Sequence, residues 1–129
     1  MYLFIPENIF SEKSLKESML LIIRNKVDEG VREIVSADLG GYTRVVVDVR
    51  RKILAAGGEL RIHGKKLLME DGSKQSDLWG GSIDFKTGDI NFDSVINVRP
   101  KDGNRSREVL DKKIRKQMES IITNLLGRD

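Results

Sequence analysis

The chain has 129 residues, 39% of them hydrophobic and 33% charged, with a formal net charge of +3. This suffices for one aliphatic core, and the charge is too evenly interspersed for a dedicated nucleic-acid face. There is no cysteine and only one histidine, His63, which excludes disulfides, thiol nucleophiles, thiolate metal sites and histidine clusters.

Tyr2 to Ile5 reads as a short extended segment stopped by Pro6. Ser11 or Ser14 caps a helix, Ser14-Leu15-Lys16-Glu17 fitting the capping-box pattern. Leu15, Met19, Ile22, Ile23 and Val27 follow at helical spacing, and Val31, Ile34, Val35 and Leu39 resume it beyond Gly30. A helical region over 11–39 is expected, either as two helices meeting near Asp28 or as one helix tolerating a glycine, and Gly40-Gly41 ends it.

The period then changes. Residues 43–50 place Val45, Val47 and Val49 on one strand face, and 53–56 form a second apolar run, so a hairpin turning near Arg51-Lys52 is expected. Residues 59–63 alternate again, with Leu60 and Ile62 inward and Glu59, Arg61 and His63 outward, and Gly64-Lys65 turns the chain. Residues 82–85 and 89–98 bracket Lys86-Thr87-Gly88 as another hairpin. The last strand would put Ile90, Phe92, Ile96 and Val98 on one face and Asn97 and Arg99 on the polar one, ending at Pro100. Ser106 is read as a helix N-cap with Glu108 in the first turn. Leu110, Ile114, Met118, Ile121, Ile122 and Leu125 make the apolar stripe that Gly127 closes.

Helices, then strands, then a helix is an α+β order. The expectation is a single domain spanning 1–129: a helical region (11–39), an antiparallel sheet of about five strands (42–99) and a long C-terminal helix (106–126). Both helical stripes would cover one sheet face, leaving the other solvated, ligand-binding or buried in a homodimer. No apolar run approaches the ~20 residues of a bilayer span. Met1 to Asn8 lacks a signal-peptide pattern, so a cytoplasmic protein without membrane contact is expected.

The run Ile96-Asn97-Val98-Arg99-Pro100-Lys101-Asp102-Gly103-Asn104-Arg105-Ser106-Arg107 holds the densest polar chemistry. As a structural corner, Asn104 and Ser106 satisfy helix-terminal N–H groups, Arg99 pairs with an acid and Gly103 makes the turn. As an anion site, Arg99, Arg105 and Arg107, with Asn97, Asn104 and the amides near Ser106, surround the positive end of a helix. The structural reading leads. Trp79, between glycines, reads as a core plug before a stacking platform. Glu59, Arg61 and His63 at period two suit acid–base chemistry or a charged strand edge, the edge leading. Gly57-Gly58 reads as a bulge or close backbone approach, since no Lys-Ser/Thr follows. The aspartates do not follow calcium-loop spacing, and neither a metal nor a cofactor is expected.

The strings Ala56-Gly57-Gly58-Glu59-Leu60, Asp71-Gly72-Ser73-Lys74-Gln75-Ser76-Asp77-Leu78-Trp79-Gly80 and Ile96-Asn97-Val98-Arg99-Pro100, the last followed by Gly103-Asn104-Arg105-Ser106-Arg107, resemble an uncharacterised family of small prokaryotic proteins, a domain of unknown function. The similarity covers roughly residues 43–126. It departs at the N-terminus and at Arg61, where family members carry a histidine. The resemblance implies a shared fold and no chemistry. Three functions follow as expectations. One is a non-enzymatic binding module for an anion (a nucleotide, phosphate or RNA backbone) at loop 97–107. The second is a small hydrolase on a phosphorylated substrate, with Glu59 or Asp77 as base. The third is an oligomerising protein without a ligand.

Overall fold

The computed structural model describes residues 19–36 and 41–128. Val45, Val46 and Val47 are buried on both sides, because β2 (Tyr42–Asp48) is the middle strand of the sheet. β3 (Ile53–Ala56) and β4 (Leu78–Asp84) flank it, and β1 (Leu21–Ile23) and β5 (Ile90–Asn91) form the edges. The order is β1-β3-β2-β4-β5 and every pairing is antiparallel. The α+β class, the five strands and the long C-terminal helix are as expected.

Strand alternation sorts the core into two layers. Val45, Val47, Leu54, Ala56, Trp79 and Ile83 face α1 (Glu29–Val35) and α3 (Lys112–Leu126). The stripe Met118, Ile121, Ile122, Leu125 and Leu126 is buried there, at helical spacing. Buried Arg32 joins the two helices: its Nε donates to Leu126 O at 2.7 Å and its Nη2 to Gly127 O at 2.8 Å. A cation is favourable at those C-terminal carbonyls. On the opposite face Val46, Ile53, Ala55 and Leu78 pack with Leu68 of α2 (Arg61–Glu70) and with Ile96 of a 3-10 turn, Val95–Asn97. The helices thus cover both faces.

Four expectations are corrected. The stretch read as helix around Ile22 and Ile23 is strand β1, and among the described residues helix begins only after Asp28, whose carboxylate caps Val31 N at 3.0 Å. Residues 61–70 form α2 and not a strand and turn. Gly64 is buried inside the helix because a side chain there would press within 3.0 Å of Val46 Cγ2, and Leu60 and Ile62 are exposed rather than inward. The last strand ends at Asn91, so Val98 is exposed and Asn97 buried, the reverse of the expected faces. The C-terminal helix starts at Lys112 with Asp111 as N-cap, not at Ser106. Ser106 Oγ instead accepts from Glu108 N within the loop. The Tyr2–Ile5 segment, the Ser11 and Ser14 caps, Leu15, Leu39 and Gly40 lie outside the described residues.

Asp71, just past α2, ties three elements together. It accepts from Arg24 Nη2 at 2.6 Å and from Arg51 Nη2 at 2.8 Å. These arginines hold its carboxyl below the usual range. A depressed carboxylate stabilises the fold above its unfolded value and loses that contribution as pH falls through the folded value. Urea midpoints of wild type and Asp71→Asn should therefore differ near neutrality and converge below about pH 4.

Candidate functional site

The loop 97–107 closes the outer edge of β4. β5 pairs only with Ser82 and Ile83, which would leave Gly80, paired with Val46 on its inner side, without a strand neighbour on its outer side. Asn97 takes that place. Its Oδ1 accepts from Gly80 N at 2.8 Å, and its Nδ2 donates to Gly80 O at 3.0 Å, Arg107 O at 3.0 Å and Phe92 O at 3.2 Å. Buried Asn104 repeats the device one layer out, donating to Asn97 O, Ser106 O and Glu108 O and accepting from Leu110 N. Gly80 is glycine because a Cβ would lie 2.6 Å from Ser94 Cβ. Side-chain amides carry donor and acceptor side by side, as a peptide does.

The arginines divide. Arg99 lies 3.8 Å from the centroid of the Trp79 ring and donates to Gln75 O and Leu78 O. Burial pulls its pKa below the ordinary arginine value, with Asp102 opposing. Trp79 is core, with one ring face under that guanidinium. Arg107 Nε pairs with Asp93 at 3.0 Å. Arg105 is exposed, and its guanidinium makes no hydrogen bond or ion pair among the described residues. Of the six loop residues expected to meet an anion, three are thus committed to the interior and one to Asp93.

Arg107 shares a cavity of about 410 Å³ with Tyr42, Arg61, Asp84, Asp89 and Asp93. Arg61 crosses into it from the first turn of α2, donating to Gly81 O at 2.7 Å and to the Tyr42 hydroxyl at 3.3 Å. Three aspartates against two arginines leave this cavity without a cationic excess. Arg61 and His63 do not share a strand face, since two residues apart on a helix point to opposite sides. Glu59 is exposed beyond Ala56, whose β2 neighbour is Val45. Arg99 binds the carbonyl of Leu78, whose β2 neighbour is Asp48. Glu59 and Arg99 are therefore offset along the strands, Glu59 beyond the end of β3 and Arg99 at the start of β4, and Asp77 pairs with Arg50 at 3.0 Å. Glu59 and Arg99 do not converge, whereas Asp77, its carboxylate held by Arg50, lies between Gln75 and Leu78, whose carbonyls accept from Arg99.

A second cavity, about 520 Å³, lies between the β2–β3 hairpin and α3. Lys52, Lys113 and Lys116 line it together with Val49, Ile121, Leu125, Gln117, Ser120 and Asn124, and no carboxylate does. None of the three ammonium groups has a hydrogen bond or ion pair among the described residues. Lys113 and Lys116 stand in the first turns of α3, whose first turn holds no acid, although cations are disfavoured at a helix N-terminus. Lys52 is the one described non-glycine residue with positive φ, at 59°. Asp48 builds that turn: its Oδ1 accepts from Arg50 N and Arg51 N, and its carbonyl from Lys52 N at 2.9 Å. The left-handed position after such a turn normally goes to glycine. The sequence signal was the basic string 112–116; its meeting with Lys52 is visible only in the fold.

Among the described residues no three histidine, cysteine or acidic side chains gather to hold a metal, and no helix is long and apolar enough to cross a membrane. A five-stranded antiparallel sheet with helices on both faces, the part of β4 beyond β5 closed by a side-chain amide, defines the class. The chain belongs to the family described as Protein of unknown function (DUF5674), which matches residues 21–125. No curated protein and no solved structure matches it.

Proposed function

We propose that the protein is a non-enzymatic binding module for an anionic, phosphate-bearing ligand, and that the ligand sits in the cavity between the β2–β3 hairpin and α3. The observation that carries this is three lysines around one cavity, none with an ion pair among the described residues and none facing a carboxylate in its wall. Two features support it. Clustered cations at the start of α3 repel one another and the helix dipole, and a bound anion reverses both terms. Lys52 also keeps a charged side chain where glycine would relieve the backbone. Ammonium groups act as point charges suited to phosphate rather than to bidentate carboxylate recognition. In this reading the protein works in the prokaryotic cytoplasm on a small molecule. Arg105, the unpaired arginine of loop 97–107, is an outlying contact at most.

Lys52→Gly separates site from scaffold. The variant should be more stable by up to about 1 kcal/mol in urea, from relief of the left-handed strain, and should bind inorganic phosphate several-fold more weakly by calorimetry. Lys113→Ala with Lys116→Ala should abolish phosphate binding while raising the urea midpoint slightly, because two cations leave the positive end of the helix. Unaltered phosphate affinity in both variants would remove the cavity as the site.

A further inference from the structure

We propose further that this cavity takes an elongated phosphate monoester with a largely apolar body, not a bare anion; the inference rests on the anion-binding reading above. The size argues first. A cavity of about 520 Å³ falls within the ~300–1,000 Å³ of small-molecule sites, and a water-sized share of that volume is only ~30 Å³. A lone phosphate would leave most of it to solvent.

The wall argues second. It is mostly carbon, from Val49, Ile121, Leu125 and the methylene stems of the lysines, which cover apolar surface while holding their charges in water. The charge is also distributed along a line. Lys113 and Lys116 stand near the start of α3 and Asn124 and Leu125 near its end. Eleven residues at a rise of ~1.5 Å place Asn124 about 16 Å from Lys113. Along α3 charge therefore gives way to the neutral groups of Gln117, Ser120 and Asn124. A phosphate held at Lys113 and Lys116 has its ester body running toward Asn124 between α3 and the hairpin, over carbon, with a hydroxyl and two amides to meet a polar group on the body.

The test compares inorganic phosphate, hexyl phosphate and adenosine 5′-monophosphate by calorimetry on the intact chain, with Ser120→Trp as a blocking variant. Ser120 is exposed on α3, so a bulky side chain there fills the groove without entering the core. Hexyl phosphate, the adenosine ester or both should bind at least tenfold more tightly than inorganic phosphate, and Ser120→Trp should remove that advantage. Whichever ester gains identifies the body as aliphatic or nucleoside. Equal affinity for all three overturns this inference and leaves the anion-binding reading standing. An ester advantage that survives Ser120→Trp also overturns it, since the body then lies elsewhere. Failure of all three to bind overturns both.

Discussion

Replacing Asn97 by alanine should cost about 3–5 kcal/mol of stability, enough to leave a domain of ordinary stability close to unfolding. Four hydrogen bonds end on that one amide. Each contributes ~1 kcal/mol net while made, and each partner left buried without a replacement adds a desolvation penalty of ~1–3 kcal/mol. The sheet makes the loss acute. Gly80 has no strand on its outer side, so nothing else can take its N–H and carbonyl. Asn97→Asp should be no better, because a carboxylate keeps the acceptor for Gly80 N but faces three carbonyls it cannot donate to. Arg105→Ala, on the same loop but exposed, should stay within about 0.5 kcal/mol of wild type. Urea unfolding of the three variants checks the ranking. Equal small effects would mean that the loop is not the closure of the sheet.

Gly57→Ala should be comparably severe, for a steric reason. A Cβ at Gly57 would lie 1.9 Å from the carbonyl oxygen of Met19, on the segment that enters β1, and the residue has φ of 95°. Real side chains never approach so closely, so the chain before β1 must move away, taking with it the pairing of Leu21 with Ala56. Gly72→Ala serves as control: its φ is 108° but nothing lies within 4 Å, so it carries the backbone penalty of ~1–2 kcal/mol alone. The difference between the two isolates the clash, and should be at least about 2 kcal/mol. Hydrogen exchange should show the extra loss first at the β1 amides.

These positions show what the sequence made legible. The β2–β3 hairpin was readable because two β-branched and apolar runs flank a polar turn, and α3 because its 3.6-residue stripe faces one buried layer. The close backbone approach at Gly57-Gly58 was readable too. β1 was not, since Leu21-Ile22-Ile23 is a short continuous apolar run that fits a buried helix as well as a strand. α2 hid behind Gly64: a glycine that lets the helix lie on Val46 and Ala55 looks the same in sequence as one that makes a turn. Alternation puts Asn97 on an outward face because polar residues usually are exposed, and spacing puts Asn104 at a helix terminus. Their burial is explained only by the unpaired edge of β4, which depends on where β5 stops. The cationic cavity was out of reach for a similar reason. Lys52 joins Lys113 and Lys116 only after the hairpin packs beside α3.

A titration of isotope-labelled protein with inorganic phosphate, followed through backbone amide resonances, tests the functional account most directly. Shifts should concentrate at Lys52, Lys113, Lys116 and Gln117, with Asn104 to Arg107 unmoved. Shifts confined to Arg105 and Arg107, or to the cavity shared by Arg61 and Tyr42, would contradict it.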